Sequence, residues 1–340
     1  MKFLIAGLGS IGRRHLRNLI ALGERDILLY RTRRSTLPEA DLEGIPAVTE
    51  LEAALEQRPE AVIVSNPTAL HLDVAIPAAQ TGCHLLLEKP VSDSLERVEA
   101  FQAAVLRSGG QVLVGFQFRF HPGLQMAARL LSERAIGRPL SVRAHWGEYL
   151  PGWHPWEDYR QGYSARPDLG GGVILTLSHP LDYLRWLLGD VEKLWAFAER
   201  LSDLDLEVED TAEIGLKFKN GVLGSLHLDY NQRPSAHYLE ITGTQGTIRW
   251  DNADGAVCLY RAASLSLGEG KARSENWRKL PAPPNFERNE MFLEEMRHFL
   301  AVVRGETAPV CNLNDGVQAL RLSLAALQSA RNGQMIEIIE

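Results

Sequence analysis

Short apolar runs alternate with amphipathic stretches over the first third of the chain. Phe3–Ala6, Ile27–Tyr30, Ala61–Ser65, His84–Leu87 and Val112–Phe116 are rich in aliphatic side chains, and helical patterns separate them. This alternation predicts a doubly wound parallel sheet with helices on both faces from Met1 to about Phe118. Asp93-Ser94-Leu95-Glu96 has capping-box spacing, so a helix is expected to open there, and Gly109-Gly110 should close it. After Phe118 the pattern predicts a helix near Gly123–Glu133, a strand near Leu140–Glu148, and an aromatic, proline-bearing loop through Asp168. Ala212–Phe218 and Val222–Tyr230 flank Asn220-Gly221, the signal of a two-residue hairpin, and His237–Thr242 with Thr247–Trp250 reads as a second strand pair. A largely antiparallel sheet follows. Ala262–Asn285, rich in Ser, Gly, Pro and charge, reads as loop, and helices are expected over Asn289–Val303 and Asp315–Arg331. The chain thus divides into an N-terminal segment, residues 1–118, and a C-terminal α/β segment, residues 119–340.

Composition narrows the class. With 340 residues, 45% hydrophobic and 23% charged, each segment is long enough for its own core, which excludes a disordered chain. Lys and Arg number 36 against 43 Asp and Glu, a net charge of −7 that offers no global positive field to a nucleic acid. Cys83, Cys258 and Cys311 form no CxxC pair and no zinc spacing, so neither a disulfide framework nor a metal is expected, and a reducing cytoplasm suits them. No apolar run approaches the roughly 18 to 20 residues of a membrane span, and the first one is cut by Gly7, Gly9 and Gly12 before Arg13-Arg14. A cytoplasmic location, with neither membrane nor nucleic-acid partners, is the expectation.

Gly7-Leu8-Gly9-Ser10-Ile11-Gly12 follows the first strand and opens a helix, after which Arg13 continues it. Glycines at this spacing allow a tight turn and close backbone approach, so the free N–H groups of the helix start can receive a diphosphate. At the end of the second strand an acidic residue would bond the ribose hydroxyl of NAD(H). Here the chain reads Tyr30-Arg31-Thr32-Arg33-Arg34-Ser35, and Arg31 with Arg33 or Arg34 offers fork-shaped donors for a 2′-phosphate while Thr32 adds a hydroxyl. NADP(H) is therefore preferred, with NAD(H) possible; a solvated basic loop is the plainer reading of the same residues.

Four further motifs carry a resemblance. Ser65-Asn66-Pro67-Thr68-Ala69-Leu70-His71, Glu88-Lys89-Pro90, Val114-Gly115-Phe116-Gln117-Phe118-Arg119-Phe120 and Gly170-Gly171-Gly172 followed by Ser178-His179 make the chain similar to the glucose-fructose oxidoreductase and inositol dehydrogenase family over nearly its whole length. The resemblance implies a Rossmann domain followed by an α/β domain whose large open sheet mediates homo-oligomers, dimer or tetramer. It also implies that Lys89 is catalytic, that the Lys89–Pro90 peptide is cis, and that Ser65, Asn66, Pro67, Glu88 and Gln117 lie beside the dinucleotide. His71 reads equally as a cofactor residue and as a buried structural contact. By its own chemistry, an ammonium just beyond a central strand can hydrogen-bond a substrate oxygen and oppose charge developing there.

Relatives commonly carry an Asp and a His after the triple glycine, and the Asp position here is Thr176. A threonine hydroxyl is far too weak an acid to serve as a base at neutral pH, which leaves His179 to exchange the proton, with Asp182 one turn on to hold its ring. Pro180 lacks an N–H, so a helix must kink or start anew near His179. Trp153 and Trp156, with Trp146, Tyr159, Arg160 and Tyr163, suit the apolar faces and hydroxyls of a sugar-like substrate alongside Lys89, Thr176 and His179, or else form an aromatic loop plug. The expected activity is hydride transfer between nicotinamide and a hydroxyl or keto carbon of a sugar, polyol or derivative. A non-redox NADP-binding regulator and an NAD-dependent glycosidase are the alternatives.

Overall fold

The computed structural model describes residues 1–32, 42, 44–262 and 277–338. In chain order the elements begin β1 (Phe3–Ala6), α1 (Ser10–Ala21), β2 (Ile27–Tyr30), β3 (Ala47–Val48), α2 (Leu51–Leu55), β4 (Ala61–Val64), α3 (His71–Gln80), β5 (His84–Glu88), α4 (Val98–Ser108) and β6 (Val112–Gly115). There follow α5 (Pro122–Ser132), β7 (Pro139–Gly147), α6 (Val173–Thr176), α7 (His179–Leu188), β8 (Val191–Glu199), β9 (Thr211–Phe218), β10 (Leu223–Asp229), β11 (Ala236–Gly243), β12 (Gly246–Asp251), β13 (Val257–Arg261) and β14 (Trp277–Leu280). Last come α8 (Arg288–Val303), α9 (Leu313–Asn332) and β15 (Ile336–Glu337). One compact unit holds Met1–Gln117, Arg160–Gly171 and Arg288–Arg321, and a second holds Phe118–Tyr159, Gly172–Glu287 and Leu322–Glu340. Among the described residues no helix is long and apolar enough to cross a membrane.

In the first unit six strands pair in parallel in the order β3-β2-β1-β4-β5-β6, a Rossmann sheet. Every residue of the central strands β1 and β4 is buried, which is why they read as unbroken apolar runs rather than as alternation. The strand order reverses between β1 and β4, so a crevice opens at their carboxyl ends, the place where such sheets receive ligands. Gly7, Ser65, Lys89 and Phe116 each stand immediately after one of the four strands on this edge. The expected capping box does not form. α4 opens at Val98 behind Arg97, whose φ is 66°, while Ser92 Oγ bonds the Asp93 carboxylate and the Ser94 N–H in a local turn that competes with helix initiation. The helix closes at Gly109 (φ 76°), as expected.

The second unit is built on nine strands in the order β14-β13-β12-β11-β7-β10-β9-β8-β15, in which only the β7–β10 ladder is parallel. β9 shows the alternation: Ala212, Ile214, Leu216 and Phe218 are buried, and Thr211, Glu213, Gly215 and Lys217 point the other way. Helices α5, α6 and α7 pack on the buried face. Asn220-Gly221 does join β9 to β10, but the loop has three residues, because Phe218 N–H bonds the Val222 carbonyl and Gly221 supplies a left-handed φ of 88°. That geometry is a turn followed by a glycine bulge rather than a two-residue hairpin. β14 lies inside the stretch read as loop; its Trp277-Arg278-Lys279-Leu280 is a short edge strand whose order comes from pairing with β13.

Candidate active site

The glycine turn after β1 has two tight positions and one open one. A Cβ on Gly7 (φ 91°) would stand 2.4 Å from Asn66 N, and one on Gly12 would stand 2.0 Å from the Gly7 carbonyl oxygen. These two glycines let β1, α1 and β4 close together. Gly9, the N-cap of α1, has nothing within 4 Å of its Cβ position. The first intrahelical bond runs from Arg13 N to the Gly9 carbonyl, so the preceding N–H groups of Ser10, Ile11 and Gly12 are available above that open space. Ser65 Oγ donates to the Ala6 and Gly7 carbonyls, and buried Arg13 donates from Nε to the Leu8 carbonyl, so both side chains grip the turn itself. Asn66 donates through Nδ2 to the Leu70 carbonyl, while its Oδ1 is buried without a hydrogen-bond partner. An anion-receptive helix start next to a buried, unengaged acceptor fits a dinucleotide.

His71, the first residue of α3, is 1% exposed and lies between two main-chain carbonyls: Nδ1 is 2.9 Å from Pro90 O and Nε2 is 3.0 Å from Asn66 O. It braces the loop after β4 against the loop after β5. Burial lowers its pKa, opposed by the charge of Glu88 and by the carbonyls. The Lys89–Pro90 peptide is cis. Glu88 Oε1 lies 2.7 Å from His15 Nε2, and Glu88 Oε2 accepts the Lys89 N–H at 3.3 Å. Burial alone would raise the Glu88 pKa, yet the His15 bond and the charges of His15, Lys89 and His71 hold it below the usual carboxylate range. Glu295 of α8, fully buried and without a hydrogen-bond partner, is pushed well above that range by burial and by Glu88. Sequence reading passed over it, although it falls four residues after Met291 and four before Phe299 on the apolar stripe of its helix.

Gln117 is buried in the short turn Gln117–Phe120 that follows β6. Arg31 and Thr32 directly follow β2, whereas Arg33 and Arg34 lie outside the described residues. In the segment 160–171 of the same unit Arg160 is exposed and Tyr163 half-buried.

In the second unit His179 opens α7 with Pro180 in its first turn, and α6 ends at Thr176, so the chain starts a fresh helix where Pro180 required one. The His179 ring is 2% exposed, its centroid 5.1 Å from Phe118 and 5.5 Å from Trp146. Thr176 is likewise buried. Asp182, the carboxylate expected to hold His179, accepts two bonds from Arg119, at 2.9 and 2.6 Å, with both side chains almost wholly buried. The signal for this pair was a lone Arg inside the aromatic run Phe116–Phe120. Trp146 is core, stacked on His237 at 4.3 Å, and His237 meets the Tyr183 hydroxyl at 3.2 Å. Trp153 packs edge-on to Tyr230, Tyr159 accepts the Asp205 N–H at 3.1 Å, and Trp156 is 67% exposed. Glu209 accepts the Ile174 N–H at 3.2 Å and fills the space left by Gly172, where a Cβ would stand 2.5 Å from its oxygen. Burial pushes the Glu209 carboxyl up to about 7, partly offset by the N–H bonds it accepts.

A parallel sheet of this order with an open, glycine-led helix start defines a nucleotide-binding fold of the Rossmann class. Residues 1–116 match the oxidoreductase family with an NAD-binding Rossmann fold, and residues 124–249 match the GFO/IDH/MocA C-terminal domain. The chain belongs to this family of NAD-binding oxidoreductases. It is 27% identical over 282 residues to 1,5-anhydro-D-fructose reductase of Ensifer adhaerens, covering 82% of this chain and 80% of that one. Against D-xylose 1-dehydrogenase (NADP(+)) 2 of Haloferax volcanii the identity is 24% over 344 residues, covering 99% and 100% of the two chains. The fold matches the WlbA dehydrogenase of Bordetella pertussis, solved with NADH and UDP-GlcNAcA, with a TM-score of 0.80 at 24% identity over 100% of this chain and 99% of that one.

Proposed function

We propose that the protein is an NADP(H)-preferring dehydrogenase or reductase acting on a CH–OH carbon, or its keto counterpart, in a sugar, polyol or sugar derivative. The observation that carries this reading is the side chain of Lys89 at the carboxyl end of β5, on the same sheet edge as the open helix start at Gly9. A bound nicotinamide supplies the hydride donor or acceptor. Lys89 hydrogen-bonds the substrate oxygen and offsets its charge, His179 exchanges the proton, and Thr176 bonds a substrate hydroxyl. Residues 1–118 hold the dinucleotide, with Asn66, Pro67, His71, Glu88 and Gln117 at its nicotinamide end and Arg31 with Thr32 at a 2′-phosphate. Residues 119–340 supply the remaining substrate contacts, among them Trp153, Trp156, Tyr159, Arg160 and Tyr163. Relatives named for an anhydro-sugar and for xylose support the substrate class, and one named for NADP(+) supports the cofactor. A homo-oligomer forms through the outward face of the large sheet, where Trp195, Phe197 and Tyr238 are exposed.

The experiment is a panel of keto sugars with NADPH or NADH, and of sugars and polyols with NADP⁺ or NAD⁺, run on wild type, Lys89→Ala and His179→Ala. Turnover is expected to favour the phosphorylated cofactor. Each substitution should lower kcat by roughly 10²- to 10⁴-fold with dinucleotide affinity kept within about threefold. Absence of turnover across the panel, or variants as active as wild type, would sink the reading.

A further inference from the structure

The outward face of the nine-stranded sheet carries a cluster that the dinucleotide chemistry does not use. His145 of β7 and His227 of β10 are direct register partners on the parallel ladder, their rings stacked with centroids 4.6 Å apart at 17°. Asp229 projects from the same face two residues beyond His227. One ligand-type atom from each of the three lies within 4.8 Å of the others, and His227 Nε2 is 3.0 Å from Asp229 Oδ2.

We propose that His145, His227 and Asp229 form a binding site for a divalent cation of borderline character, Zn²⁺ foremost, with the fourth position open to water. Two donors about 2.1 Å from a tetrahedral cation stand roughly 3.4 Å apart. The His227–Asp229 pair is within a few tenths of an ångström of that spacing, and the third donor needs to move by at most about 1.4 Å. Two imidazoles and one carboxylate are the ligand types of open, three-residue zinc sites.

The outer partners are the stronger argument, because ligating histidines are usually oriented through their second ring nitrogen. His227 Nδ1 is 2.6 Å from Oε1 of Glu213, its register partner on β9, which leaves Nε2 to face the site. His145 is hydrogen-bonded by the Gln232 side chain, while its Nε2 is buried with no hydrogen-bond partner, and Tyr238 of β11 stacks on the ring at 5.1 Å and 5°. Asp229 Oδ1 accepts the N–H groups of both Asn231 and Gln232 at 2.6 Å, which turns Oδ2 inward. Gly147, the register partner of Asp229, makes the room: a Cβ there would stand 2.2 Å from Oδ2. Each donor is thus fixed from behind, and the free apex of the cluster is the orphaned nitrogen of His145.

Hydrogen bonds to the Asp229 and Glu213 carboxylates raise the pKa of His227, while burial and the charge of His227 lower that of His145. Binding sends any proton held on His227 Nε2 to solvent as the cation takes the lone pairs of both nitrogens and one Asp229 oxygen.

The test titrates chelator-treated full-length protein with Zn²⁺ alone against a chromophoric chelator, alongside His145→Phe and His227→Gln. His145→Phe keeps a ring to stack on Tyr238, and a cooperative melt with a metal-free Tm near that of wild type checks that both variants are folded. The expected result is one equivalent of Zn²⁺ per wild-type chain, a loss of at least tenfold in affinity in each variant, and a zinc-dependent rise in Tm confined to wild type. A wild type that takes up no stoichiometric Zn²⁺, or variants that bind it equally, overturns the proposal. If a variant does not fold, Co²⁺ loading of wild type decides: visible d–d bands of a four-coordinate nitrogen and oxygen site support the proposal, and their absence overturns it.

Discussion

A single carboxyl sets a pH response at the start of α6. Glu209 has a native pKa of about 7 against an ordinary value of 4.5, so between those values the unfolded chain gives up a proton that the native chain keeps. Its contribution is therefore fully present below about pH 4.5 and is lost as pH rises through about 7; allowing for residual solvent exposure, the loss is about 2 kcal/mol. Glu209→Gln should remove this slope, leaving urea midpoints nearly level between pH 5 and pH 8 where wild type declines; parallel slopes would count against it. Arg31 is the other residue with a sharp expectation. Replacing it with Asp should weaken NADPH at least tenfold, by loss of charge-assisted bonds to the 2′-phosphate, and leave NADH close to wild type. Equal losses in titration calorimetry would remove the argument for a phosphate-bearing cofactor.

At the scale of the element, the glycine turn separates packing from binding. An alanine at Gly12 drives a methyl onto the Gly7 carbonyl and should cost about 1 to 3 kcal/mol of stability. The same change at Gly9 meets no protein atom, so thermal stability should stay within about 1 kcal/mol while dinucleotide affinity falls at least tenfold, because the methyl occupies the space above the helix start. Fluorescence titration with melting curves reads both, and a Gly9→Ala protein that binds like wild type refutes the assignment. The turn was legible in advance because its information is local: strand, glycines and helix adjoin in sequence. So was the break at Pro180, which follows from one missing N–H. The start of α4 was not, since two local hydrogen-bonding schemes competed for Asp93–Ser94 and sequence spacing alone does not rank them.

For the whole molecule, the proposed oligomer rests on the exposed Trp195 and Phe197 of the outward sheet face, and Phe197→Glu should shift the species seen by light scattering toward monomer. An unchanged mass would remove this face from the assembly. The parallel-sheet architecture, the glycine turn and the fresh helix start at Pro180 were determined by the sequence itself, because buried central strands and tight turns write their demands into neighbouring positions. What only tertiary structure decided is which distant groups meet. Arg119 takes the Asp182 carboxylate, His15 takes Glu88, whose charge helps raise the pKa of buried Glu295, and His145 meets His227 across a ladder whose register depends on every other strand. Such pairings span tens to hundreds of residues, and their energy comes from desolvation and charge in a folded interior, quantities that do not exist until the chain has closed on itself.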